Sequence, residues 1–354
     1  MKDIVTVTGI RPDFIRMSEI FKKLDNRFKH TLIHTGQHYD KMLSDVFFTD
    51  LDIRQPDHNL CAGGCGREQY QVTAEITMDL IKYLKLKNLN PDLILFLGDS
   101  NSVACSMALK KEGYTIGHIE AGMRSYDKRM LEEVNRTVCD HCSEYHFVYH
   151  QDYADNLTRE GLNTQKFVVG NTIVEPCNKI LETINVHKKQ RGFILLDIHR
   201  PENFKYKHRL ENLLTFADYA SVVSGLPVLL VKFPRTMQYI QDYKLSLNNI
   251  IPIDLMSYKS YIKMQYNAKF IISDSGTAQE EPALLDTPVL VPRDYTERPQ
   301  SVAEGCSLMV NVNNIDYNHF SSCIMWAMTD RIISKKWLGD GTTSEQITKI
   351  LEKL

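Results

Sequence analysis

Residues 1–24, MKDIVTVTGIRPDFIRMSEIFKKL, pass from an apolar, β-branched run (Ile4–Thr8) through a polar turn (Gly9-Ile10-Arg11-Pro12-Asp13) into a stretch with helical spacing. Pro12 suits the first turn of a helix, and Phe14, Met17, Phe21 and Leu24 fall on one stripe. A strand that feeds directly into an amphipathic helix is the repeating unit of a parallel sheet. The unit recurs along the chain. Strands are expected at Thr31–Thr35, Leu93–Leu97, Thr115–Ile119, Tyr145–Tyr149 and Phe167–Val169. After a helix at Val174–Ile184 and a polar linker, His187–Gly192, they resume at Phe193–Leu196, Pro227–Val231, Phe270–Ser273, Pro288–Val291 and Leu308–Val312. This predicts an α/β protein with two open, doubly wound sheets and a boundary near Gly170-Asn171-Thr172.

Composition narrows the functional classes. A chain of 354 residues with 43% hydrophobic and 24% charged side chains buries a full core without staples. Its 42 Lys and Arg against 44 Asp and Glu give a net charge of −2, which argues against a nucleic-acid or anionic-membrane partner. No apolar run approaches the roughly 20 residues of a membrane span, and the N-terminus reads as strand and turn instead of a signal peptide. A cytoplasmic location is therefore expected, with the eight cysteines as thiols. Cys61-x3-Cys65 and Cys139-x2-Cys142 have the look of zinc half-sites, but the first reads as a loop tip and no metal is expected.

In open parallel sheets, ligands bind beyond the carboxyl ends of the strands. Those positions are unusually polar here, which predicts a ligand cleft between two domains. Ser275-Gly276-Thr277 follows a strand and is expected to open a helix, a geometry that cradles a pyrophosphate on backbone N–H groups. Glu280 and Glu281, one turn on, are placed to accept from ribose hydroxyls. Taken alone, the turn is better read as a helix start capped by Asp274 or Ser275, because such caps are common. No G-x-G-x-x-G follows the first strand, so a nucleoside diphosphate fits better than a nicotinamide cofactor, and no cofactor is expected. Asp99, Glu120 and Glu132 form a carboxylate set suited to proton transfer, or to helix capping on a solvated face. His199 beside Arg200 offers a donor for a leaving phosphate. Arg11, Arg16, Arg124 and Arg298 supply guanidinium groups for phosphate, each also readable as a surface ion pair.

Seven motifs in order resemble the non-hydrolysing UDP-N-acetylglucosamine 2-epimerases. They are Gly9–Asp13, Gly98–Ser100, His118–Arg124, Glu132–Arg136, His199–Asn203, Asp274–Glu281 and Arg293–Pro299. The resemblance implies a GT-B architecture of two Rossmann-like domains: residues 1–169 with a last helix at about 340–354 packed back on them, and a UDP-binding domain at 170–339. It assigns catalytic roles to Asp99, Glu120, Glu132 and His199, and UDP contacts to Arg11, Ser275, Gly276 and Glu281. Arg16 stands where many members have lysine, and Arg298 belongs to a loop that closes over the nucleotide. A UDP-sugar substrate and a homodimer are implied as well.

The chemistry gives these groups a use. The C2 proton of a 2-acetamido sugar has no adjacent carbonyl to acidify it. Elimination avoids that barrier: a base takes the C2 proton as UDP leaves C1, and UDP re-adds while a proton reaches the other face of C2.

Several positions depart from the family pattern. Ile10 and Asp13 replace its usual threonine and glutamate, Pro201 replaces a charged residue, and Phe233 stands where relatives carry histidine. Gln37–Met42 lacks the arginine and glutamine that bacterial members place around an allosteric UDP-sugar. His34–Asp40, Asp45–Leu51 and Tyr126–Glu133 look more like a branch that acts on UDP-2-acetamido-2,6-dideoxy-L-hexoses, forming L-fucosamine or L-rhamnosamine-type sugars. Interconversion of UDP-GlcNAc and UDP-ManNAc is the alternative. A GT-B glycosyltransferase, a hydrolysing 2-epimerase and a non-catalytic sugar-nucleotide sensor fit less well, because the last has no need of His199 and three carboxylates.

Overall fold

In the computed structural model, residues 1–36, 48–62, 68–184 and 189–354 are described. The substrate-branch stretch from Gln37 to Phe47, the loop tip with Cys65, and the start of the polar linker lie outside them. The chain divides into two compact units: Met1–Pro176 with Leu338–Leu354, and Cys177–Trp337.

The first unit is built on a seven-stranded parallel sheet. Its strands are β1 (Asp3–Thr8), β2 (Lys29–His34), β3 (His58–Asn59), β4 (Leu93–Leu97), β5 (Ile116–Ile119), β6 (Tyr145–Val148) and β7 (Gln165–Val168). Their order across the sheet is β3-β2-β1-β4-β5-β6-β7. The order reverses between β1 and β4, the switch point where the following loops diverge and leave room for a ligand. The helix Arg11–Arg27 follows β1 as expected, with Pro12 in its first turn. Phe14, Met17, Phe21 and Leu24 are all buried, and Asp13, Arg16 and Glu19 are buried with them. The last helix, Thr343–Lys353, packs on this one through Ile347 and Leu351, and Glu345 meets Lys23 and Arg27 at 2.8 Å.

The second unit carries a six-stranded parallel sheet in the order β10-β9-β8-β11-β12-β13. The strands are β8 (Ile194–Asp197), β9 (Val228–Val231), β10 (Ile250–Ile253), β11 (Phe270–Ser273), β12 (Val289–Val291) and β13 (Ser307–Met309). Here the switch point lies between β8 and β11. A core of Ile194, Leu196, Leu213, Phe216, Phe270, Leu290 and Phe320 fills one side of the sheet.

Two strands were not anticipated. β3 has only two residues, too short for any periodicity. β10 includes Pro252 and exposes Ile251, which is tolerable only because it is an edge strand. No helix among the described residues is long and apolar enough to cross a membrane. Seven cysteines (61, 105, 139, 142, 177, 306 and 323) are free thiols.

Candidate functional site

In the first unit the residues expected to carry chemistry come off β1, β4 and β5. Asp13, third in its helix, accepts the backbone N–H groups of Gly9 (2.9 Å) and Ile10 (3.2 Å) and the hydroxyl of Ser100 (3.4 Å). It thereby caps the helix and ties the turn after β1 to the turn after β4. Burial pushes its carboxyl up to about 7, against those N–H groups, and the charges of Asp99 and Glu120 add to the rise. Asp13 is thus a further carboxyl of this cluster. The sequence showed only its departure from the family pattern; its place three residues after Ile10, where the helix begins, was the signal.

Glu120, the first residue beyond β5, has φ +69°, a left-handed conformation that a side chain with a Cβ adopts at a cost. Its buried carboxylate lies 3.0 Å from Nη1 of Arg16. That guanidinium also reaches Tyr149 Oη (3.5 Å) and Asn171 Oδ1 (3.4 Å). Asp99, half-buried, is ion-paired to Arg136. Arg136 also contacts the buried Glu133 at 3.3 Å. Glu133 in turn accepts the N–H groups of Ser125 (3.0 Å) and Tyr126 (2.9 Å), fixing the loop that leads into the helix Leu131–Cys142. Glu132 is half-buried in the first turn of that helix, next to Glu133. Arg11 is half-buried at the first position of its own helix.

A buried network underlies this cluster. His118 places Nδ1 2.6 Å from Asp140 and Nε2 2.7 Å from the carbonyl of Gly98, the residue before Asp99. With acceptors on both ring nitrogens the imidazole holds two protons. Burial opposes its charge, but Cys139 and Asp140 outweigh burial and hold it well above the ordinary histidine value.

Arg124 belongs to the same network and takes a different place from the one expected. Its guanidinium meets Asp140 at 2.8 Å, both Glu160 oxygens at 2.7 Å and the Met123 carbonyl at 2.7 Å. The donors that were to meet phosphate are committed to these acceptors in the interior. The sequence could not reveal this, because Asp140 and Glu160 lie 16 and 36 residues away.

In the second unit the turn after β11 is built as a close approach. A Cβ on Gly276 would stand 2.6 Å from Nη1 of Arg298, so any larger residue there would have to displace that guanidinium. Arg298 is itself held by Glu280 and Glu297, each at 2.7 Å. The structure therefore brings Ser275, Gly276 and Arg298 together. It alters two expectations. Thr277–Gln279 forms a single 3-10 turn and Glu281–Leu284 a one-turn helix, so no long helix dipole backs the turn. Glu280 is the buried counter-ion of Arg298, and Glu281 accepts from Gln265 Nε2 at 2.7 Å, so both carboxylates engage protein donors.

After β8, the half-buried His199 directs Nδ1 to Asp197 at 2.8 Å, with Asp274 at 3.4 Å. Burial lowers the affinity of the ring for a proton, but the two carboxylates prevail and raise it above the ordinary value. Asp274 also accepts the backbone N–H groups of His199 (3.0 Å) and Arg200 (3.1 Å). Among the described residues, Asp197, His199 and Asp274 are the one group of three histidine, cysteine or carboxylate side chains whose donor atoms all lie within 4.8 Å of one another. Their mutual contacts are those of a hydrogen-bonded ion pair.

The comparisons with known proteins point one way. A family model described as UDP-N-acetylglucosamine 2-epimerase matches residues 22–352. A UDP-N-acetylglucosamine 2-epimerase homolog of Methanococcus maripaludis is 36% identical over 327 residues, covering 88% of this chain and 89% of that protein. The UDP-2,3-diacetamido-2,3-dideoxy-D-glucuronate 2-epimerase of Pseudomonas aeruginosa is 32% identical, with 87% and 88% covered. The solved structure of Methanocaldococcus jannaschii UDP-GlcNAc 2-epimerase in complex with UDP-GlcNAc and UDP superimposes with a TM-score of 0.91 at 29% identity, covering 99% of this chain and 100% of that one. With its two Rossmann-like parallel sheets, the chain shares the GT-B-type architecture of these neighbours.

Proposed function

We propose, from the premise that the chain belongs to the UDP-N-acetylglucosamine 2-epimerase family, that it inverts C2 of a UDP-2-acetamido-2,6-dideoxy-L-hexose. The chain is a non-hydrolysing UDP-sugar 2-epimerase, an isomerase.

One observation supports the reading above all others. Asp99 and Glu120 leave the neighbouring strands β4 and β5 at the same sheet edge, with Glu120 in a strained conformation held by Arg16. Two carboxylates leaving neighbouring strands on the same side suit a reaction in which one takes the C2 proton and the other returns it to the opposite face. On this reading Asp99, Glu120 and Glu132 carry the C2 proton. As it leaves, the C1–O bond breaks, UDP departs with the bonding pair, and a 2-acetamidoglycal remains. Re-addition of UDP to C1 with protonation of C2 completes the inversion, with no net redox change. In the second unit, Arg200 and the Ser275-Gly276-Thr277 turn stabilise the diphosphate, and Arg298, held by Glu280 and Glu297, supports that turn. His199 donates to the diphosphate as negative charge develops.

The deoxy-sugar preference rests on the Tyr126–Glu133 stretch, whose start is anchored by Glu133 immediately beside Glu132. UDP-GlcNAc is the second reading, favoured by the names of most of the similar proteins. Purified protein incubated in D2O with UDP-2-acetamido-2,6-dideoxy-L-talose, and separately with UDP-GlcNAc, separates the two by proton NMR. Deuterium entry at C2 of the deoxy sugar alone is expected. Exchange only in UDP-GlcNAc replaces this substrate with the second one.

A further inference from the structure

Asp197 closes β8 in register with Ser273, the last residue of β11, so Asp197 and Asp274 leave adjacent strands at the switch point of the second sheet. Asp274 is fully buried and holds the turn after β8: it accepts the His199 N–H, the Arg200 N–H and, at 2.9 Å, the Asn203 side-chain amide. Asp197, also buried, holds the ring, with Oδ1 on Nδ1 of His199 at 2.8 Å. Its other oxygen accepts the hydroxyl of Tyr261, from the helix Tyr258–Asn267. Phe233 packs against the imidazole with ring centroids 5.1 Å apart. The ring is therefore oriented from the strand, the neighbouring strand end and two aromatic residues.

We infer that Tyr261 and Asp197 are positioning residues that keep the Nδ1 proton of His199 engaged and so present Nε2–H as the donor to the departing diphosphate. An imidazole with Nδ1–H bound to a carboxylate exposes only Nε2 to a ligand, and the carboxylate stabilises the cation that donates. Tyr261 shares the charge of Asp197, which limits how tightly the ring holds its proton. This assignment deepens the reading of His199 above and rests on it. The groups that bear on the ring are Asp197 from β8, Asp274 from the end of β11, Arg200 from its own turn, and Tyr261 through Asp197; Phe233 carries no charge.

The sign of the effect is defined. A protonated donor is lost as pH rises through the pKa of His199, so kcat/KM falls on the alkaline side. Asp197→Asn preserves shape and a partner for Tyr261 but removes the negative charge. It is expected to move the alkaline limb of kcat/KM down by about one pH unit or more, with UDP affinity nearly unchanged. Tyr261→Phe leaves Asp197 more fully charged and is expected to move the limb in the opposite direction. The ring is read directly by NMR with isotopically labelled histidine in the UDP-bound protein, with His199→Asn supplying the assignment. The expected spectrum at alkaline pH has the proton on Nδ1, and a lower His199 pKa in Asp197→Asn. A proton on Nε2 at alkaline pH, or an alkaline limb that stays in place in a folded Asp197→Asn variant, overturns the inference. Wild-type protein with the expected ring spectrum but no C2 exchange overturns instead the catalytic reading on which it rests, and the two failures are told apart because the ring is read without turnover.

Discussion

Asp13 shows how much one residue carries that its letter does not disclose. It reads as a conservative exchange in a phosphate-binding turn, yet its carboxyl caps a helix, joins two turns and is pushed by burial up to about 7. A carboxyl raised in the folded state contributes stability that is complete below its unfolded value, near 4, and is lost as pH climbs to about 7. Asp13→Asn has no such loss. Its melting temperature is therefore expected to gain on wild type by about 5 °C or more between pH 4 and pH 7.5. A gap between the two proteins that is constant with pH would show that Asp13 is not buried in its neutral form. Asp99, Glu120 and His199 could be singled out in the sequence because each lies within two residues of the end of an apolar strand. The true place of Arg124 could not be, since its partners Asp140 and Glu160 are set by packing and not by spacing.

Elements were legible where the pattern was strong. β4 and β11 have the expected limits, and the helix Arg11–Arg27 buries the expected stripe. β3 and β10 escaped because a two-residue bridge and a proline-bearing edge strand have no period to read. The single 3-10 turn after Gly276 escaped for a different reason: polar turn residues start helices of any length alike. The helix Thr343–Lys353 is a late addition to the first unit, and Ile347 is its fully buried anchor. Ile347→Ala removes packing against the Arg11–Arg27 helix and is expected to cost about 2–4 kcal/mol in urea unfolding. A cost below about 0.5 kcal/mol, as at exposed sites, would mean that the last helix is not part of that unit's core.

At the scale of the whole molecule, the same topology appears in both units. In each, the strand order reverses beside the first strand of the sheet, and most candidate residues follow the carboxyl ends of the strands at or next to that point. Carboxylates populate those positions in the first unit. In the second, a glycine turn, a buried arginine and a carboxylate-held histidine populate them. This division of labour suits a reaction that moves a proton on the sugar while a diphosphate leaves and returns. Its most direct test is incubation of wild type and Glu120→Gln with the UDP-2-acetamido sugar in D2O, followed by proton NMR. The account predicts that wild type yields the C2 epimer with deuterium at C2 and the sugar still joined to UDP, and that Glu120→Gln binds UDP but slows exchange by about 100-fold or more. Inversion without deuterium entry, or release of free sugar with UDP as the main product, would contradict it.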